Sequence, residues 1–289
     1  MAKTVLVTGA NSGLGLAAAK QLSKFGWRVL LGCRTVQKAE SAAAAIGSNA
    51  VPILAPLALQ DLTSVAAFAS HIEVEFGRVD VLVNNAAVFG TAASAHENTV
   101  INAVAPTLLA MLLRPSQRVV SVITDPQGLV AVPPPVPQDL DGDAVATGSM
   151  GALVRYMHSK RLLACAMAHL AAETGSSTAS PAPVHVLLAP GMVDTGIHSK
   201  AAWPWFIRLM NRGGLAVSGT GAEASGEVYL RASGGEFDTA EPGRLTIIDR
   251  GTAIAEAQTA KLVGDAARNA DLVAAMRERH SGVSWPGPG

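Results

Sequence analysis

The amino-acid sequence predicts an α/β fold, a single doubly wound parallel sheet flanked by helices, and three observations predict it. Short apolar runs rich in Val, Leu and Ile alternate with longer stretches of helical periodicity, the arrangement of βαβ units. The first run, Thr4 to Thr8, passes straight into a glycine-punctuated turn, Gly9-Ala10-Asn11-Ser12-Gly13-Leu14-Gly15, and that turn opens an Ala-rich helical stretch. With 289 residues, 49% of them hydrophobic and 15% charged, the chain is long enough to bury a large core and too weakly charged for disorder. In such a sheet the crossovers are right-handed, and ligands gather at the carboxyl ends of the strands.

The elements follow in order. Helical composition runs from Leu14 through Leu22, and Arg28 to Arg34 reads as a second buried strand. A helix to Ile46 and a third strand over Val51 to Leu57 come next. Asp61 to Phe76 sets Val65, Phe68, Ala69 and Ile72 on one helical face, and Val79 to Val83 is a fourth strand ending in Asn84-Asn85-Ala86. Glu97 to Leu113 reads as helix and Val119 to Ile123 as a fifth strand. The rhythm breaks over 125–149, where Pro133-Pro134-Pro135, Pro137 and the acids Asp139, Asp141 and Asp143 predict a long loop without periodicity. A functional loop and a solvated surface insertion are equally open readings of it. Helix resumes over Ala152 to Glu173, and Val184 to Leu188 is a sixth strand, followed by Pro190-Gly191.

Trp203, Trp205 and Phe206 form an aromatic cluster that suits a substrate lid, a membrane-facing patch or core packing. Gly221 to Ala232 reads as helix, Leu245 to Ile248 as a last edge strand, and Ala253 to Arg279 as two amphipathic helical pieces before a frayed Trp-Pro-Gly-Pro-Gly tail. No linker or internal repeat stands out, so residues 1–289 read as one domain. Within it lie a cofactor half over about 1–125, the loop 125–149 and a substrate or lid region over about 190–240.

Composition and motifs disfavour several function classes. Zero formal net charge argues against a nucleic-acid footprint, which needs a basic stripe. Cys33 and Cys165 are the only cysteines, so neither a disulfide framework nor a Cys-based metal site is expected. His158, His185 and His198 match no ligand spacing, and no metal is expected. A Gly-x-Ser-x-Gly nucleophile elbow is missing, which weakens a hydrolase reading. No signal peptide precedes the first strand and no apolar run reaches transmembrane length, which points to a soluble, cytoplasmic protein.

The glycine turn after the first strand has the makings of a pyrophosphate cradle: backbone N–H groups approach closely, and a helix N-terminus adds partial positive charge. Its spacing is Gly9-x-x-x-Gly13-x-Gly15. Further along, Tyr156 and Lys160 lie four residues apart and so one turn apart on a single helix face. A phenol beside an ammonium group has its anionic form favoured, so the pairing predicts a Tyr156 pKa lowered toward the range useful for proton transfer.

Thr8 to Gly15, Cys33-Arg34, Asn84-Asn85-Ala86, Asn102, Tyr156-x-x-Ser159-Lys160 and Pro190-Gly191-Met192-Val193-Asp194-Thr195 occur in this order. Together they resemble the short-chain dehydrogenase/reductase superfamily over nearly the whole chain, and within it the retinol-dehydrogenase-like, WW-domain-oxidoreductase-like branch. The resemblance implies a Rossmann-type fold and a hydride transfer between a nicotinamide cofactor and a carbonyl or alcohol. It implies Tyr156 as general acid or base, Lys160 as the residue that tunes Tyr156 and bonds the nicotinamide ribose, and Asn102 as holder of a water that links Lys160 to solvent. Gly9, Asn11, Ser12, Gly13, Leu14 and Gly15 would line the phosphates and ribose, and Asn85 and Ala86 would meet the adenosine side. Pro190, Gly191, Val193 and Thr195 would wrap the nicotinamide. A homodimer through the helix bearing Tyr156 is a further implication; the apolar face Leu162, Leu163, Ala166, Met167 and Leu170 suits that or core packing.

Cofactor choice has a physical basis. NAD enzymes of this architecture usually carry a carboxylate at the end of the second strand for the ribose 2′-hydroxyl. Here that end is Cys33-Arg34, and the planar donor fork of Arg34 suits a 2′-phosphate, so NADP(H) is the expected cofactor. The chain departs from the family pattern in three places. Thr124 stands where the catalytic serine belongs, keeping the hydroxyl but adding a methyl that restricts the site. Ser121, three residues earlier, is the other candidate. Ala58 replaces an adenine-contacting aspartate, leaving only backbone groups there, and Ala87 replaces a glycine. A bulky, largely apolar carbonyl or alcohol, of the kind met in specialised metabolism, is the expected substrate. A non-redox cyclase or isomerase and a cofactor-binding scaffold stay open as alternatives on the same fold.

Overall fold

The computed structural model describes residues 2–89, 94–146, 150–176, 183–190, 222–234 and 245–287. Eight strands join one sheet in the order β3-β2-β1-β4-β5-β6-β7-β8. They are β1 (Thr4–Thr8), β2 (Arg28–Gly32), β3 (Ala50–Pro52), β4 (Val81–Asn84), β5 (Arg118–Val122), β6 (Val184–Ala189), β7 (Leu245–Asp249) and β8 (Thr252–Ala253). Neighbours from β3 to β7 run parallel, and β8 folds back antiparallel on β7. Strand order reverses beside β1, which has β2 on one side and β4 on the other, and this reversal opens a crevice at the carboxyl ends.

The described helices are α1 (Gly13–Lys24), α2 (Val36–Ile46), α3 (Leu62–Phe76), α4 (Ala95–Thr99), α5 (Ala105–Leu113), α6 (Pro126–Ala131), α7 (Gly151–Ser176), α8 (Ala222–Gly234), α9 (Glu256–Val263) and α10 (Ala266–Arg279). Local chemistry sets several of their ends. Asp61 caps α3 by accepting from the Thr63 N–H at 2.9 Å, and Gly77, at φ +70°, stops the same helix. Alternation along the strands divides the core in two. Val5, Val7, Val29, Leu31, Val81 and Val83 pack under α1, α2 and α8, whereas Leu6, Leu30 and Leu82 pack with α3, α5, α7, α9 and α10. Each such fully buried side chain contributes on the order of 1.5–3 kcal/mol against leaving it in water.

Four elements differ from the sequence expectation. β3 stops at Pro52, because prolines at 52 and 56 supply no donor to the ladder; the chain beyond still pairs once, from the Leu57 N–H to the Cys33 carbonyl at 2.8 Å. The helix expected over Glu97 to Leu113 is interrupted by a π-helical turn, Val100–Val104, just before Pro106, which lacks an N–H. The long loop contains α6, started by Pro126 and capped by Asp125, which accepts from the Gly128 N–H at 2.7 Å. Finally, β7 is not the edge of the sheet, since β8 covers it.

Residues 125–146 are also tied down. Asp139 accepts from the N–H groups of Asp143 and Ala144, both at 2.9 Å, and Asp141 pairs with Arg279 of α10. Arg161 of α7 is buried and donates to the carbonyls of Leu129 and Val132 in the insertion and of Lys261 and Leu262 at the end of α9. The tail is anchored rather than frayed at Trp285, whose indole packs on the core and donates to the His280 carbonyl at 3.2 Å. Leu162, Leu163, Ala166, Met167 and Leu170 are buried within the chain's own core. Among the described residues no helix is long and apolar enough to cross a membrane.

Candidate active site

The crevice is built from β1 upward. Gly9 (φ +66°) and Gly13 (φ +53°) take backbone conformations that residues with a β-carbon rarely adopt. Gly15 is there for space: a β-carbon on it would lie 2.3 Å from the Gly9 carbonyl oxygen and 2.5 Å from Asn85 Nδ2. Ser12 precedes α1 in extended conformation and makes no side-chain cap. Ser12 therefore leaves the first-turn N–H groups of Gly13, Leu14 and Gly15 without a side-chain acceptor of its own, and an anion can take that place. Beside the turn, Thr8 Oγ accepts from the N–H groups of Asn85 and Ala86, each at 3.0 Å, and Asn85 Nδ2 donates to the Thr8 carbonyl at 2.9 Å. A tight, donor-lined concavity results, and it fits the pyrophosphate of a dinucleotide.

At the end of β2, Cys33 is buried, and burial pushes its thiol up to about 11. Arg34 follows, exposed and without an ion pair among the described residues, immediately before α2. Ala58 is half-buried, and its N–H donates to Ser64 Oγ at 3.2 Å.

The second half of the site stands on α7 and the end of β5. Asn102, fully buried in the π-helical turn, accepts from the Val88 N–H and donates to the Val88 carbonyl, both at 2.9 Å, and donates to Ser159 Oγ at 3.1 Å. Ser159 in turn donates to the Tyr156 carbonyl at 2.7 Å, so the segment after β4 is stitched to the helix that carries Tyr156. Lys160 is buried and donates from Nζ to the Val122 carbonyl, the last of β5, at 2.8 Å. Burial lowers Lys160 to about 7 and raises Tyr156 to about 12. The lowered Tyr156 pKa expected from the four-residue spacing is therefore overturned. The ammonium is engaged by a β5 carbonyl, and loss of water around the phenol dominates.

Thr124 lies half-buried at the mouth of the crevice, just past Ile123, whose N–H makes the last contact of β5 to β6 at 2.9 Å. Ser121 is fully buried within the sheet, where its hydroxyl accepts from Asn84 Nδ2 at 3.4 Å, so Thr124 is the hydroxyl placed at the strand's exit. Pro190 is buried at the end of β6. Gly191, Val193 and Thr195, and with them Trp203, Trp205 and Phe206, lie outside the described residues. His158 is buried with its ring against Gly142, and burial lowers its pKa against the opposing pull of Asp139 and Asp141. His185 is buried in β6 and is lowered to about 4 by the same cause. Among the described residues no group of three or more His, Cys, Asp or Glu side chains gathers as a metal site would require.

Two residues at the site escaped the sequence reading. The ring of Phe89 meets Tyr156 edge to face at a centroid distance of 4.8 Å. Tyr229, on α8, donates its hydroxyl to Asn85 Oδ1 at 3.0 Å. The available signal was scarcity: the chain has only two tyrosines, and both end up at this crevice.

Comparison with known proteins decides the family. The sequence model described as short chain dehydrogenase matches residues 3–203. The chain belongs to the short-chain dehydrogenases. The family's enzymes are oxidoreductases that use nicotinamide cofactors. Relatives of this short-chain dehydrogenase include retinol dehydrogenase 14 of Mus musculus, 43% identical over 100 residues that make up 30% of each chain. Retinol dehydrogenase 13 of Mus musculus is 47% identical over 89 residues, 30% of this chain and 27% of that one. The matched stretches thus span less than a third of these relatives' own length. Among solved structures, a protein from Mycobacterium Paratuberculosis aligns at a TM-score of 0.70 and 22% identity over 99% of this chain and 95% of that one. Salutaridine reductase from Papaver somniferum aligns at 0.60 and 22%, over 80% and 95%. These two likenesses speak for the fold alone.

Proposed function

We propose that this short-chain dehydrogenase is an NADP(H)-dependent oxidoreductase acting on a carbonyl or alcohol of a bulky, apolar small molecule. The observation that supports the proposal is the linkage of the Tyr156 helix to its surroundings: Asn102 reaches Ser159, Ser159 reaches the Tyr156 carbonyl, and Lys160 reaches the last carbonyl of β5, two residues before Thr124. Gly9, Asn11, Ser12, Gly13, Leu14 and Gly15 would hold the cofactor's pyrophosphate and ribose, Asn85 and Ala86 the adenosine side, and Pro190, Gly191, Val193 and Thr195 the nicotinamide. When bound, the cofactor supplies or takes the hydride.

The protein's own part is proton handling. A phenol kept neutral by burial is in the form that donates, so Tyr156 serves as the acid in carbonyl reduction. Thr124, at the strand exit, orients the substrate oxygen with its hydroxyl. Lys160, lowered to about 7, is poised to pass a proton near neutral pH, while Asn102 fixes the α7 backbone one turn below Tyr156.

Preference for NADP(H) rests on Arg34, whose exposed guanidinium at the end of β2 stands where a carboxylate would favour the unphosphorylated cofactor. The half-buried Ala58 offers no side-chain acceptor for adenine, so only backbone is left to that edge. An apolar substrate is supported by the names of the retinol dehydrogenases. The test is turnover of NADPH with a panel of ketones, aldehydes and the matching alcohols. The parent should oxidise NADPH with at least one bulky carbonyl, and Tyr156→Phe should lower that rate by about 100-fold or more while NADPH still binds. Equal rates in parent and variant would overturn the assignment.

A further inference from the structure

We propose that Tyr229 is a positioning residue for the cofactor cradle: by donating its hydroxyl to Asn85, it fixes the amide on which the glycine turn rests. The proposal builds on the reading of the crevice as a dinucleotide site.

The Asn85 amide has two ends and two different neighbours. The Thr8 carbonyl can only accept, so it requires Nδ2 on its side at 2.9 Å. That leaves Oδ1 facing the other way, and there it takes the Tyr229 hydroxyl at 3.0 Å. Held at both ends, the amide cannot rotate. Its Nδ2 is also the atom against which the turn packs: a β-carbon would lie 2.5 Å from it if placed on Gly15 and 3.2 Å if placed on Gly9. The side-chain amide therefore acts as the floor of the cradle, and Tyr229 acts as its stop.

The placement of Tyr229 is itself enforced. Gly226 lies one helical turn earlier on α8, where a β-carbon would sit 2.9 Å from the Ala17 carbonyl of α1. That glycine lets α8 close on α1 and delivers a fully buried phenol beneath the turn that begins α1. A buried phenol hydroxyl needs a partner, and among the described residues Tyr229 has Asn85. Burial, and then the neighbouring Tyr156, push the Tyr229 phenol upward, which keeps it protonated and so able to donate. A packing role alone would be served equally well by phenylalanine; the hydroxyl is what the cradle uses.

The experiment compares the full-length parent with Tyr229→Phe, which keeps the ring and removes the donor. NADPH and NADH affinities are measured by titration, the thermal midpoint by calorimetry, and amide exchange over residues 9–15 by mass spectrometry. Cofactor dissociation constants are expected to rise about fivefold to tenfold, with the cofactor KM rising more than kcat falls. Exchange over 9–15 should quicken while the midpoint stays within a few degrees of the parent's. Tyr229→Phe should add nothing further in an Asn85→Ala background, since the shared amide is gone. Affinity within twofold of the parent, with unchanged exchange and a lowered midpoint, would reduce Tyr229 to packing and overturn the proposal. Should the parent bind neither cofactor, the dinucleotide reading fails by itself. The exchange comparison then decides Tyr229: faster exchange upholds its hold on the turn, and equal exchange removes it.

Discussion

The two faces of the sheet are made of different material. Under α1, α2 and α8 the buried set is mainly apolar, with Ala10, Ala18, Ala19, Ala39 and Ala42 beside larger residues such as Leu22, Leu31 and Tyr229, and glycines bring backbones together. On the α7 face the sheet and its helices bury Asn84, Asn102, Thr107, Ser121, Ser159, Lys160 and His185. Strand alternation puts Asn84, Ser121 and His185 on that side, because their neighbours Val83, Val122 and Val186 belong to the other. The first face depends most on close backbone approach at its glycines, and the other on the larger number of polar groups it buries. Added atoms should therefore damage the first, and altered charge or hydrogen bonding the second.

The sharpest way to break this contrast is Gly15→Ala. Its β-carbon would stand 2.3 Å from the Gly9 oxygen, so the turn must move. Overpacking of this kind costs roughly 2–3 kcal/mol, and NADPH affinity should fall about 100-fold in a fluorescence titration. Parent-like affinity would mean that the turn is not the cradle.

His185→Val tests the other face through pH. In the folded chain His185 is lowered to about 4, below its ordinary value of about 6.5. The unfolded chain therefore takes up this proton first as pH falls, and stability is lost between about pH 6.5 and 4, by up to roughly 3 kcal/mol. Urea unfolding at pH 7.5 and at pH 5 should show the variant losing less stability than the parent on acidification. An identical loss in both would free His185 of the charge.

Smaller effects belong to the rims. Arg34→Asp should shift the ratio of NADPH to NADH affinity toward NADH by about tenfold or more, read from paired titrations. A ratio that does not move would place the 2′-phosphate elsewhere. Thr124→Ser keeps the hydroxyl and removes the methyl, so turnover should change by only about fivefold, upward, with the bulkiest substrates gaining most. A collapse of activity would show that the methyl positions substrate.

Much of the fold was legible because βα alternation and the glycine turn are local signals: the parallel strands and the helix that the turn opens are already present in the order of residue types. The π-helical turn at Asn102 was not, since over five residues its apolar pattern is that of an α-helix, and only Pro106 hinted at an irregularity. α6 hid among prolines because proline both begins helices and breaks them. At the site, the spacing of Tyr156 and Lys160 put them on one helix but could not say which carbonyl Lys160 would meet. Desolvation depends on everything packed nearby, so even the direction of the Tyr156 shift was beyond the sequence. Tyr229 lies 144 residues from Asn85, and nothing local joins them.

Arg161 ties this architecture to the order in which the chain can fold. Its guanidinium finds carbonyls 29 and 32 residues before it and 100 and 101 residues after it. α7 therefore cannot complete the hydrogen bonding of its buried cation until the segment around Leu262, about a hundred residues later, has docked. Loop closure on that scale is slow compared with forming the β1–α1 unit. The glycine turn can thus be in place early, while the helix bearing Tyr156 reaches its final packing only when α9 and α10 arrive, a sequence of events that a chain ending before α9 would never complete.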